Sequence, residues 1–268
     1  MGSLTDEQVL NLAIMFSVLF GAIIGSFLNV VIYRLPKKQS IAKERSHCPN
    51  CKKQIENLDN IPVLSYIALR GKCRNCKTRI SFRYPLVEIL TAAIWGVTVW
   101  RVGIHLYTIG YLIFFSGLIA LSFIDFEHML LPKKIIYATG GALIAFLVFS
   151  SVINEELNRV RDAAIVGVAY FAFFLLMWLA TQQKAMGFGD VRLSFFLGLS
   201  MGYFGFVVSY AGLLLSFLLG SVIGIVFVAV TGKGRKAKIP FGPFLALGTI
   251  IVIWCAPAIS DLVQLNHV

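Results

Sequence analysis

The sequence predicts an all-α polytopic membrane protein of about eight transmembrane helices, with one small polar insert between the first and second. Three observations carry that fold class. Of the 268 residues, 58% are hydrophobic and only 14% charged, with mean hydropathy +0.81, whereas a soluble domain carries roughly a quarter charged residues. The apolar residues fall in long runs instead of amphipathic stripes. The basic residues gather in one alternate set of connecting segments.

The predicted spans, in order, are residues 9–33, 86–102, 106–124, 135–153, 162–181, 191–206, 208–230 and 241–260. Residues 1–8 hold Asp6 and Glu7 but no Lys or Arg. They lack the basic start of a secretory signal, so the first run is expected to stay in the bilayer as a helix. The second and sixth runs are short for a hydrocarbon layer of ~30 Å, which asks for ~20 helical residues. Gly198, Gly202 and Gly205 mark the sixth as a close-packing helix, because small residues let backbones approach.

The polar insert, residues 34–85, holds thirteen Lys and Arg. If it faces the cytoplasm, alternation puts the segments 125–134, 182–192 and 231–240 on the same side, with Lys133, Lys134, Lys184, Arg192, Lys233, Arg235, Lys236 and Lys238. That places 21 of the 24 basic residues on one face and leaves Arg101, Arg159 and Arg161 on the other, the asymmetry that orients membrane proteins. Three parts follow: a first transmembrane helix (1–33), a cytoplasmic tetracysteine domain (34–85) and a seven-helix membrane domain (86–268). The net charge of +11 is then an orientation signal, and no nucleic-acid partner is expected. The insert sets thirteen basic residues against Glu44, Glu56 and Asp59, which suits anionic lipid headgroups at ~1 kcal/mol per basic residue.

Within the insert, HCPNC (47–51) is followed after twenty-one residues by CRNC (73–76). Two Cys-x-x-Cys knuckles so spaced can bring four thiolates to a tetrahedral metal. Redox motifs or a labile disulfide pair are the competing reading, disfavoured in a reducing compartment. Structural Zn²⁺ on Cys48, Cys51, Cys73 and Cys76 is therefore expected. A closed four-sulfur site has no open position for water, so this metal would organise the insert. Zinc modules draw ~10–16 kcal/mol of apparent folding energy from the metal. Cys255, in the last span, reads as a packed apolar residue.

Few carboxylates lie in or near the spans. Asp125 ends the third in LSFIDFEHMLLP, and Asp190 opens the sixth in MGFGDVRL. They are 65 residues apart, yet the two intervening spans return the chain to the same membrane face. A carboxylate at helix centre costs ~2.5–3.5 kcal/mol on insertion scales. Singly, Asp190 could be a helix cap and Asp125 a partner of Lys133 or Lys134. As a pair held close, they would share a proton, one drawing a proton from water while the other protonates a peptide carbonyl or departing amine. Gly187 and Gly189 would give a substrate backbone room beside Asp190. No serine stands in a Gly-x-Ser-x-Gly elbow, and His47, His105, His128 and His267 form no HExxH pattern.

With those residues in view, the chain resembles the bacterial type IV prepilin peptidases, which are intramembrane aspartic proteases with a GxGD signature. The resemblance runs through GSFLNVVIYRLP (25–36), the four cysteines, NIPVLSYIALRGKCRNC (60–76), ISFRYPLVEIL (80–90), DFEHMLLP (125–132), GFGDVRL (187–193) and IPFGPFLALG (239–248). It implies an enzyme of the bacterial inner membrane that removes the basic leader from type IV prepilins and type II secretion pseudopilins at the cytoplasmic face. Cleavage would fall after a glycine, usually ahead of phenylalanine. Asp125 and Asp190 fall on the family's catalytic pair. Many members then methylate the new N-terminal amine with S-adenosylmethionine. Two departures touch leader recognition: Arg192 replaces the family's lysine, and Lys133 stands where many members carry an acid.

No glycine-rich nucleotide loop announces that cofactor. Glu88, at the exit of the insert, is a candidate for holding an ammonium group, or else a buried structural partner of Arg83 or Arg79. Glu127 and the aspartate pair would supply the acidic patch that a basic leader needs. The alternative function is a proton-coupled transporter with Asp125 and Asp190 as relays, which predicts inverted repeats and broken helices near the midplane. A zinc-ribbon adaptor for nucleic acid would leave both aspartates without a role.

Overall fold

The computed structural model describes residues 5–41, 45–183, 186–231 and 240–265. Lys43, Glu44, Lys184, Lys233, Arg235, Lys236, Lys238, Ile239 and His267 lie outside them. The described residues form nine α-helices and no strand beyond two isolated bridges, His47 with Gln54 and Lys72 with Arg79. The chain divides into two compact units, residues 1–104 and 105–268.

The first unit begins with α1 (Asp6–Arg34), whose start is set by a capping box between Thr5 and Gln8, with Asp6 and Glu7 in the first turn. These groups satisfy free N–H donors and complement the helix dipole. α1 packs on α3 (Arg83–Val102). Gly25 is what permits the approach: a Cβ there would lie 2.7 Å from the Cα of Glu88. The polar boundary at residue 85 thus ends the insert, while the compact unit runs on to include α3. At the end of α1, buried Arg34 donates to the carbonyls of Ser40, Ile41 and Arg45. Between α1 and α3 lie the two cysteine knuckles, a 3₁₀ turn (Asn57–Asn60) and α2 (Leu64–Ala68).

The second unit is a bundle of α4 (Leu106–His128), α5 (Lys133–Ile153), α6 (Leu157–Ala180), α7 (Phe188–Gly202), α8 (Phe206–Thr231) and α9 (Gly242–Leu265). α4 packs on α5 and α9, α6 on α7, and α8 on α9. Across both units, seven described helices are long and apolar enough to cross a membrane. α7 has only 15 residues, of which 11 are buried, so the short sixth run is a helix enclosed by its neighbours. Gly198 and Gly202 pack it on α6 as the sequence suggests. Gly205 does something else: it sits in the turn after α7 at φ +114° with nothing near its open face, a conformation glycine adopts without strain.

Candidate active site and metal centre

The metal centre belongs to the first unit, and its two halves are built alike. In one, Cys48 N–H donates to Lys53 C=O at 2.9 Å and Lys52 N–H donates to Cys48 C=O at 3.0 Å. In the other, Cys73 donates to Thr78 and Lys77 to Cys73 at the same distances. Lys52 and Lys77 turn the chain with φ of 60° and 59°. Each knuckle also reaches the other, since Asn50 donates to Thr78 Oγ1 at 2.8 Å and Lys53 to Asn75 Oδ1 at 3.4 Å.

All four sulfurs lie within 4.8 Å of one another, and none is in a disulfide. Cys48 Sγ and Cys76 Sγ are 3.8 Å apart. A tetrahedron with Zn–S bonds of ~2.3 Å has edges of about 3.8 Å, so the donor set fits Zn²⁺. The electrostatics agree. Hydrogen bonding with the Thr78 side chain and backbone holds the Cys76 thiol down at about 5. Hydrogen bonding from the Cys51 backbone N–H lowers Cys48 as well. Cys51 has a favourable hydrogen bond from the Lys53 N–H, yet desolvation and the three neighbouring sulfurs push it up to about 11. Four thiolates so crowded need a cation among them. Next to this centre Arg74 grips Asp59 with two hydrogen bonds, at 2.6 and 2.9 Å. The guanidinium holds the Asp59 carboxyl below its usual range.

The aspartates belong to the second unit. α4 runs past Asp125 to His128 and ends where Met129 turns left-handed at φ 53°. Asp190 lies in the first turn of α7, where its Oδ2 accepts the Gly187 N–H at 3.2 Å. Both carboxyls are buried, Asp125 at 6% and Asp190 at 7% exposure. Asp125 lies within electrostatic reach of Asp190, and no ion pair among the described residues involves either. Lys133 and Lys134 are therefore not partners of Asp125. Asp190 Oδ1 is buried with no hydrogen-bond partner among the described residues.

Two residues beside the pair carry no charge and went unassigned in the sequence. The backbone N–H of Gly242, first residue of α9, faces the Asp125 carboxyl. A Cβ at Gly242 would lie 2.9 Å from Asp125 Oδ2 and 3.3 Å from Leu131 Cδ2. Leu131 also covers Gly189, where a Cβ would come within 2.8 Å of its side chain. Leu131 thus bridges the α7 and α9 starts. Gly187 is open, its nearest non-neighbour atom being Asp190 Oδ2 at 3.7 Å from an added Cβ. Their signs in the sequence were the IPFGPF segment for Gly242 and the DFEHMLLP segment for Leu131.

The remaining candidates are spread over both units. Glu127 is half-exposed beside His128, 3.9 Å between Oε2 and Nε2. Glu88, in the first unit, is buried and accepts the Val63 N–H at 2.7 Å, with the Ser26 hydroxyl as a further donor. Phe188, inside GFGD, lies between the Trp178 ring and the Arg192 guanidinium, at 5.1 and 4.6 Å.

The bundle and its buried carboxyl pair define a multi-pass helical membrane protein equipped for acid–base chemistry, joined to a tetracysteine module. The family comparisons divide the chain similarly. The bacterial peptidase A24 N-terminal domain matches residues 19–102, and the type IV leader peptidase family matches residues 112–229. The chain is 35% identical over 269 residues to a prepilin leader peptidase/N-methyltransferase of Stutzerimonas stutzeri, with 90% of each chain covered. A Pseudomonas aeruginosa protein of the same name is 34% identical, again with 90% of each covered. An Escherichia coli O78:H11 type 4 prepilin-like proteins leader peptide-processing enzyme is 36% identical over 87% of this chain and 91% of its own. This chain belongs to the type IV leader peptidase family. No solved structure matches it.

Proposed function

We propose that this enzyme is a membrane-embedded aspartic endopeptidase that removes the leader of type IV prepilins and pseudopilins at the cytoplasmic face of the inner membrane. The observation that carries the reading is the pair Asp125 and Asp190, both buried, at the end of α4 and the start of α7, with no cationic partner among the described residues. Two such carboxyls keep one proton between them. The ionised member takes a proton from a water whose oxygen adds to the scissile carbonyl carbon, and the protonated member donates to the carbonyl oxygen. Collapse of the tetrahedral species breaks the C–N bond as the amine takes up a proton. The unpartnered Oδ1 of Asp190 is where that water would be held. Gly187 supports a close substrate backbone, and Glu127 an approach for the basic leader.

Methylation of the new N-terminal amine is the second activity that the relatives' names support. S-adenosylmethionine would supply the methyl group. The described residues show no nucleotide cradle, and no residue of this chain is assigned to that cofactor. Glu88 remains the candidate carboxylate for an ammonium group. Its bond to Val63 shows that it also has structural work.

The test is cleavage of a purified prepilin in detergent by this protein and by its Asp125→Ala and Asp190→Ala forms. Each variant should lose cleavage by about a thousandfold or more, as when one member of a catalytic unit is removed. Cleavage by either variant at the unmodified rate would overturn the mechanism. Product mass with and without S-adenosylmethionine reads the methyl transfer, a gain of one methyl group being expected only with it.

A further inference from the structure

We infer that the segment Leu58–Ile67 of the insert is an interfacial membrane anchor, whose ligand is the acyl-chain edge of an anionic lipid surface. The segment carries a single charge, Asp59, where the rest of the insert is densely charged. Leu58 is 71% exposed, Leu64 64% and Ile67 65%, and α2 buries none of its five residues. A polar domain in water would not leave three large aliphatic side chains so bare in ten residues.

Depth decides what covers them. Val63, immediately before α2, donates its N–H to Glu88 Oε2 at 2.7 Å. The bond holds Val63 at φ 61°, a region that β-branched residues avoid. Glu88 lies five residues inside α3, a 20-residue helix apolar enough to span a membrane. At 1.5 Å per residue such a helix is about 30 Å long, just the hydrocarbon thickness. With Arg83 at the hydrocarbon edge, Glu88 lies about 7.5 Å inside it along the helix. The chain at Val63 is tied to that level, and Leu64 and Ile67 follow within one helical turn. Phe82, just before α3, is likewise 64% exposed.

Charge selects the lipid. Arg70, Lys72, Arg74, Lys77 and Arg79 follow α2, all exposed. Apolar side chains at the acyl boundary, with basic ones a few residues on, are the composition of an interfacial segment on an anionic leaflet. Glu88 is the positioning residue for that contact.

The experiment places the photoreactive residue p-benzoylphenylalanine at Leu64, at Ile67 and, as a lipid-facing reference, at Phe20 on α1, one site at a time. The full chain is used in phosphatidylglycerol–phosphatidylethanolamine vesicles, with and without a purified prepilin. Lipid adducts at Leu64 and Ile67 comparable to those at Phe20, undiminished by prepilin, are expected. Glu88→Ala should lose most of the Leu64 lipid adduct while retaining its bound zinc. Absence of lipid adducts at both positions, or adducts to prepilin in their place, would overturn the inference. So would a full Leu64 adduct in the zinc-retaining Glu88→Ala protein.

Discussion

The two units hold their polar groups by opposite means. In the first, four cysteines are set by two six-residue turns, each closed by its own backbone hydrogen bonds. In the second, two buried carboxyls come from different helices, Asp125 from the last turns of α4 and Asp190 from the first turn of α7, with two whole spans between them in the chain. The knuckle is a local device whose chemistry can be removed without touching a helix. The aspartate pair is a product of topology and shares its fate with the bundle's packing.

That contrast predicts separable failures. The largest is in the carboxyl pair: Asp190→Asn should abolish cleavage while leaving bound zinc and the helical content unchanged, as measured by metal analysis and circular dichroism. Next, Cys48→Ser should release the metal and unfold the insert, given the ~10–16 kcal/mol such sites contribute. Limited proteolysis within residues 45–80 would report it, with the second unit's fragment staying intact. If the fragment is degraded as quickly, the units are not independent. Smaller is Gly242→Ala, whose methyl would press on Asp125 Oδ2 and Leu131. A displacement of about 1 Å at a reacting group costs ~100-fold, so cleavage should fall to about that extent with substrate affinity retained.

The smallest effect belongs to a surface pair. Asp59→Asn should weaken the insert by about 0.2–1 kcal/mol, the range for a surface ion pair, seen as faster zinc loss to a chelator. Arg74 lowers the folded-state pKa of Asp59. Its contribution is therefore full above the ordinary carboxyl range and disappears as pH falls through the folded value. The unmodified protein and the variant should converge in acid.

The same contrast explains what the sequence could say. Long apolar runs located the helices to within a few residues, because membrane insertion tests hydropathy directly. Spacing alone predicted the cysteine cluster, since a knuckle is local. The aspartates required counting spans and trusting the charge asymmetry. Gly242 and Leu131 escaped because neither titrates and their positions depend on how α4, α7 and α9 converge. The grouping of α1 with α3 escaped as well: it rests on Gly25 meeting Glu88 across 63 residues of chain, a match with no local pattern.

α7, with 11 of 15 residues shielded by protein, leaves Asp190 on a helix that hardly touches solvent or lipid. Its vertical position is therefore dictated by α6 and the bundle around it. A thicker or thinner leaflet would tilt the outer helices first, and the Asp190 carboxyl would keep its station while the bilayer around the enzyme changes composition.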